Sequence, residues 1–420
     1  MGTQIHTKFN NDQVKELLRK YINREVERKY IQEILGIGKS RFFEIIQAFR
    51  SAPDTFSVEY KRSSPTRGIA PEIKNNIIKE LAIDKKAIKN KDIPLYHYNY
   101  SYIQKRLERQ YGQTAAVSTI INHAKAGGFY LPKRHKAKAH DREVLTTHVG
   151  ELIQHDASYH LWAPDSGTKW ILITSLDDHS RFLLYAKFVE RESSWTHIQA
   201  LQSVVIKYGA PLAFYVDCHA CFRYIRGRDQ NHYSFEKFTD DVDPQWKQVM
   251  KDCNIKPIYA LSPQAKGKIE RPYGWLQDHL IRTCIRENVK DIGHGQRVLN
   301  YERDQYNYKW RHSTTEEIPN RRFNSALEAK KSLFRSWSIP RPFLSVRDIF
   351  ALRAERYIDN YHSVTIRNTK IKLSNVEPQR PVDIRVYILD KNFYELRFWY
   401  NGSLIKVERI KDPDLLPVHF

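Results

Sequence analysis

Cysteine is scarce: the 420 residues hold four, at Cys218, Cys221, Cys253 and Cys284, and none earlier. Four clustered thiols are too few for a secreted disulfide framework in a chain of this length, so reduced thiols are expected. Nowhere do the roughly 18 apolar residues of a membrane span run together. The opening MGTQIHTKFNNDQ has neither a secretory apolar region nor a transit-peptide composition. These absences predict a cytoplasmic protein that does not span a membrane. No internal repeat of fixed period and no low-complexity tract is visible. With 41% hydrophobic and 12% aromatic residues, disorder over most of the chain is excluded, and the length suits about three domains. Acidic residues are also short: 48 Asp+Glu face 69 Lys+Arg, a net charge of +21 that argues for a polyanionic partner.

The excess charge is uneven. Residues 1–150 carry a net +13, residues 151–290 a net +1 and residues 291–420 a net +7. A merely solvated surface predicts no such contrast, whereas flanks that bind nucleic acid around a core that keeps its acids do. Acids retained in such a core suit a metal.

The periodicities divide the chain further. Apolar positions at helical spacing run from residue 12 to 35, stop at Gly36 and resume from Lys39 to Arg50. This is a helix-turn-helix pattern whose second helix would present Lys39 and Arg41 to a major groove; an ordinary helical hairpin is the alternative. Residues 71–83, 100–111 and 115–126 repeat the theme, the last carrying Lys125. Between the two sets, 51–68 is rich in Ser, Pro and basic residues. A second linker-like stretch, 131–142, includes Lys133 and Arg134, which would track phosphates unless the stretch is a plain tether. From 151 three short β-rich runs follow one another, then a helix at 194–208, a strand at 213–217, a helix near 244–252, a strand at 256–260 and a long helix from 263, which together describe a mixed sheet covered by helices. Residues 291–335 read as helical. Beyond about 355 the runs SVTIR, IKLS, VDIRVYIL, ELRFWY and LIKVERI suggest a small β-barrel.

Three carboxylates stand out by position: Asp156 within the first core strand, Asp217 at the end of the fourth and Glu270 in the long helix, 61 and 53 residues apart. An acid inside a half-buried strand is costly unless paired or metal-bound, and strand ends are where ligands gather. Hard oxygen donors of this kind suit Mg²⁺. Any one of them alone would more often be a surface or capping acid. Around Glu270, Lys266 and Tyr273 share its helical face, and Lys268 and Arg271 flank it, cations suited to holding DNA strands near a metal pair.

The blocks HDASYHLW, SLDDHSRFLLY, YVDCHACF and SPQAKGKIERPYGWLQ, in this order, resemble the catalytic core of DDE transposases of bacterial insertion sequences, an integrase-type core with a ribonuclease-H-like fold. The stretch YNYKWRHSTTEEIPNRRF at 306–323 resembles the one that follows that core. The resemblance implies a multidomain α+β and α/β protein: helix-turn-helix domains at 1–52 and 71–130, joined by a linker at 53–70; a basic linker at 131–144; the core at 145–290; a helical extension at 291–350; and a small β-barrel at 351–420. It implies that Asp156, Asp217 and Glu270 bind two divalent cations, Mg²⁺ or Mn²⁺, which activate water or a 3′-hydroxyl for in-line phosphoryl transfer. The partners it implies are double-stranded DNA, as element terminal repeats and target, and further copies of the chain on paired ends, in a bacterial cytoplasm where the bound form is nucleoid-associated.

Two features depart from the pattern. The 53-residue interval is longer than the familiar integrase spacing and marks 218–241 as an insertion, either a flap over DNA or a surface loop. No His/His/Cys/Cys zinc site can precede the core, because residues 1–217 contain no cysteine. Cys218 and Cys221 have zinc-like spacing but lack clear thiol partners. Asp177 and Asp178 are alternatives to a triad member, with Asp178 expected to cap or to pair with Arg181; His155 and His160 are expected to pack. A nuclease that cuts without joining, and a DNA-binding regulator without catalysis, are the rival functions.

Overall fold

The computed structural model describes residues 5, 8–59, 68–132, 146–216, 245–260, 263–366, 369–390 and 392–411, with side chains in 263–286 described from Gly274 onward. The chain forms two compact units, Met1–Pro71 and Glu72–Phe420.

The first unit holds α1 (Asn11–Ile22), α2 (Arg28–Leu35) and α3 (Lys39–Ser51). Residues 12–35, read as one periodic stretch, are two helices: α1 stops at Asn23, and Arg24 has a left-handed φ of 63°. The apolar period persists because both helices face one core of Val14, Leu18, Ile31, Leu35, Phe42, Ile46 and Phe49. Asn10 and Gln13 form a reciprocal cap at the start of α1, and Gly36 closes α2 at φ 65°, a conformation glycine adopts without strain.

The second unit begins with α4 (Pro71–Lys89), α5 (Tyr100–Tyr111) and α6 (Val117–Ala126). A five-stranded sheet follows: β1 (Leu152–His160), β2 (Trp170–Asp177), β3 (Leu183–Val189), β4 (Ala213–Val216) and β5 (Lys256–Tyr259), in the order β3-β2-β1-β4-β5. The first three strands are antiparallel neighbours, while β4 runs parallel to β1 and β5 parallel to β4. This is the mixed sheet that the sequence runs predict, antiparallel on one side of β1 and parallel on the other. Residues of β2 are buried throughout, as a strand covered on both faces must be.

One face is packed by α7 (Ser194–Tyr208) and α8 (Gln245–Asp252), through Trp195, Ile198, Val204, Trp246 and Met250. On the other lie α9 (Pro263–Arg286) and α10 (Ile292–Tyr308), through Leu276, Leu280, Val298 and Leu299 against Trp170 and Leu172. After α11 (Pro319–Glu328), residues 331–335 strap across the sheet's end. The strap explains Gly150: its φ is 74° and a Cβ there would lie 2.6 Å from the Phe334 ring.

The chain ends in α12 (Val346–Ile349) and six strands, β6 (Leu352–Tyr357), β7 (Ser363–Ile366), β8 (Thr369–Lys372), β9 (Pro381–Asp390), β10 (Phe393–Tyr400) and β11 (Ser403–Lys411). Where a small β-barrel is expected, the described residues form an open antiparallel sheet, β11-β10-β9-β6, and a separate β7–β8 hairpin. Its apolar residues Ile384, Phe398 and Val382 join the α7–α8 layer, so covering by the core takes the place of closure in shielding that face. The described helices include none long and apolar enough to cross a membrane.

Candidate active site

Asp156 lies on the central strand. It faces Thr174 of β2 in the register, and its Oδ1 accepts a 2.9 Å hydrogen bond from the Ala157 amide; the residue is neither buried nor fully exposed. On the other side of β1, β4 pairs up to Gln154–Tyr215, two residues before Asp156, and ends at Val216. Asp217 follows in the chain and lies outside the described residues. The backbone of α9, which carries Glu270, lies against β1, but the side chains of Glu270, Lys266, Lys268, Arg271 and Tyr273 lie outside the described residues.

The neighbouring acids are engaged elsewhere. Asp177 is fully buried: Oδ1 accepts from the Gly150 amide (2.8 Å) and Oδ2 from the Ser180 amide and hydroxyl (2.8 and 2.5 Å), so it pins the β2–β3 turn. Burial raises its pKa against those hydrogen bonds. Asp178 accepts from Gln154 Nε2 and from Thr146 Oγ1 (2.9 Å) and pairs with Arg181 at 3.0 Å, the pairing expected for it. Both carboxylates hold the loop beside the site in shape, which leaves little of either for a metal.

Side chains alternate along β1, so His155 points away from the face carrying Asp156. It is completely buried, shares a 2.9 Å hydrogen bond with Ser175 Oγ and another with His197 of α7, and stacks parallel to Trp246. His197 in turn meets Glu192 at 3.0 Å. Burial, then the neighbouring His197, holds the His155 pKa well below its ordinary value, so a neutral imidazole tethers β1 to α7. His160 packs edge-on against Trp162 at 5.4 Å, and burial lowers its pKa too.

Comparison with known proteins adds the following. No protein-family model matches the chain. It is 27% identical over 269 residues to "Putative transposase y4bF" of Sinorhizobium fredii, covering 64% of this chain and 54% of the relative. It is 26% identical over 235 residues to the transposase for insertion sequence IS1202 of Streptococcus pneumoniae, covering 55% and 44%. The chain is thus similar to insertion-sequence transposases. It spans about half the length of these curated relatives. Solved structures that align include the HTLV-2 integrase catalytic core domain with magnesium (14% identity, TM-score 0.29, covering 41% of this chain and 94% of that one) and a simian T-cell lymphotropic virus intasome with a PP2A regulatory subunit (14%, TM-score 0.33, 74% and 95%).

Lys39 and Arg41 stand exposed in the first turn of α3, with Arg41 held 2.7 Å from Glu44. Lys125 is exposed near the end of α6, its ammonium 5.0 Å from the Tyr130 ring centre. Lys133, Arg134, Cys218, Cys221 and the 218–241 insertion lie outside the described residues. Cys253 and Cys284 are buried in different apolar clusters, and burial pushes both thiols up to about 12. The sequence shows α5 as a basic amphipathic run ended by Gly112. Lys105, Arg106 and Arg109 turn toward α9 and α10, where Arg106 meets Glu287 at 3.2 Å and Arg109 lies 3.7 Å from Glu302. The run YSYIQKRLERQY shows the charge but not its partners.

Proposed function

We infer that the chain is a DNA transposase that binds the terminal repeats of a mobile element, cleaves at its ends and joins the 3′-ends to target DNA by two-metal phosphoryl transfer. The observation that carries this reading is the position of Asp156 on the central strand of a ribonuclease-H-like sheet, beside the parallel strand that leads into Asp217 and against the helix that bears Glu270. The kinship with insertion-sequence transposases supports it.

The donor chemistry fits a divalent cation. Asp156 is a partly exposed carboxylate, and the adjacent acids Asp177 and Asp178 are taken up by the fold. Asp156, Asp217 and Glu270 would hold Mg²⁺ or Mn²⁺, which supplies activation of the attacking oxygen and stabilisation of the departing one. The chain itself contributes placement. Ladder pairing on both sides fixes the backbone of β1, and the His155–His197 link anchors it to α7 without adding charge beside the carboxylate. Domain by domain, α2 and α3 with the Gly36 turn form the helix-turn-helix that offers Lys39 and Arg41 to DNA, and α4–α6 with Lys125 form the second such set. Synapsis of two ends calls for at least two copies of the chain.

Purified protein incubated with labelled element ends, target plasmid and Mg²⁺ tests this. Joined products are expected; hydrolysis alone would favour the nuclease, and binding without cleavage the regulator. Asp156→Asn, Asp217→Asn and Glu270→Gln should each lower cleavage by at least about 10³-fold, because a bound metal contributes several kcal/mol to the transition state. Unchanged activity in Asp217→Asn would defeat the triad.

A further inference from the structure

Between α5 and α10 lies a pocket of about 360 Å³ that the carboxylate chemistry does not use. Its walls are aromatic and cationic together. The Lys105 ammonium sits 3.4 Å from the centre of the Trp310 ring, and the Arg109 guanidinium 3.7 Å from that of Tyr301. Lys309 completes the cationic rim. Two of the lining residues keep buried polar atoms without a hydrogen bond: Oε2 of Glu302, a side chain only 2% exposed whose Oε1 accepts from Thr283 at 2.8 Å, and Nε of Arg106. Both atoms are closed to solvent and face protein groups at longer range, Arg106 Nε 3.7 Å from Glu80 and Glu302 Oε2 3.9 Å from His279, which fixes these two walls of the pocket.

We propose that this pocket binds a single nucleotide, its base against the Trp310 and Arg109–Tyr301 planes and its phosphate on the rim of Lys105, Arg109 and Lys309. Bases outside a duplex stack on aromatic rings and on arginine planes, and a planar guanidinium already laid on tyrosine is ordered for that purpose. The volume lies within the range of small-ligand sites. A bare phosphate would leave the aromatic walls unused. An acidic peptide would bring carboxylates toward Glu302 and Glu108. Two sources share this chemistry: a free nucleotide, and an unpaired nucleotide at the end of a DNA strand; the second rests on the DNA reading above.

The test is binding to the full chain without divalent metal, using deoxyadenosine monophosphate, inorganic phosphate, and labelled duplexes that are either blunt or carry a short unpaired tail. Saturable binding of the monophosphate is expected, with inorganic phosphate a poor competitor. Tighter binding of tailed than of blunt duplex identifies the strand end as the source; monophosphate binding with no tail preference identifies the free nucleotide. Arg109→Ala should weaken the nucleotide roughly tenfold, the size of one base-stacking contact, and change blunt-duplex binding by less than about twofold. Lys309→Ala, an exposed position, serves if Arg109→Ala shifts the thermal transition. The proposal falls if neither the monophosphate nor the tail is bound, if phosphate competes as well as the nucleotide, or if a folded rim variant binds as the parent does. Because no strand cleavage is read, failure here leaves the transposase assignment standing, and an inactive triad leaves the pocket standing.

Discussion

Removing Arg282 should loosen the seam between the helices α4–α6 and the core. Arg282 is wholly buried on α9; it donates to Asp84 of α4 and to the His97 carbonyl, and contacts Asp278 at 2.9 Å. Asp84, also wholly buried, takes a second bond from Arg286 at 2.8 Å, and Arg286 bonds Glu80 at 2.6 Å. Arg282→Met keeps the apolar stem but leaves Asp84 with one cation and the His97 carbonyl with a lost donor. Breaking a buried pair costs about 3–5 kcal/mol; because Arg286 stays beside Asp84, the lower figure of about 3 kcal/mol applies. At 1.36 kcal/mol per tenfold, that is a rise of roughly 150-fold in local opening. Amide hydrogen exchange over the α4 and α9 peptides reads it directly where the opening is confined to this seam, and urea denaturation gives the global value. Asp84→Leu together with Arg282→Met leaves the Arg286–Glu80 pair matched and should recover to within about 1 kcal/mol of the parent. A loss below about 1 kcal/mol in Arg282→Met, or a double variant less stable than the single, would refute the argument that charge balance holds this seam.

Protonation should destabilise the second unit in mild acid. His155 and His279 are both buried, with pKa values held well below 6.5 by burial first and then by His197 for His155 and by Lys105 for His279. The unfolded chain therefore takes up protons first as pH falls below 6.5, and stability drops by up to about 1.4 kcal/mol per pH unit for each histidine. Denaturation midpoints from pH 7.5 to 5.5 read the slope, and His279→Gln should flatten it; a pH-independent midpoint contradicts the neutral-histidine assignment. Cys253 and Cys284, with thiols raised to about 12, should resist maleimide at pH 8 in the folded protein and label only on denaturation, as peptide mapping would show; rapid labelling of either in the native state would contradict their burial.

The sheet was legible because strands β1 to β5 are short β-rich runs punctuated by turn residues, and their reading as three strands, then alternating helix and strand, matches the structure to within a few residues. The edge strand β6 went unread: LRAERY alternates weakly and is polar, since among the described residues it pairs only with β9 and needs little apolar surface. The break between α1 and α2 was hidden because both helices keep one apolar phase. Closure of a barrel is a matter of which strands pair at long range, and no local pattern records that.

Charge counts say little about where a cation acts, and α5 shows why. Lys105, Arg106 and Arg109 contribute to the +13 of residues 1–150, yet Arg106 and Arg109 meet Glu287, and Arg109 also meets Glu302, across the helix seam. A cation that the fold already pairs offers a polyanionic partner less than its formal charge, and sequence composition carries no such term. The carboxylates obey the same logic in reverse. Asp177 and Asp178 look as well placed as Asp156 in the sequence, but a dense set of donors from Gly150, Ser180, Gln154, Thr146 and Arg181 has absorbed them. What separates an acid open to other chemistry from one that holds a turn is the set of donors the fold aims at it: Asp177 and Asp178 carry theirs while buried, whereas Asp156 sits partly exposed on the central strand.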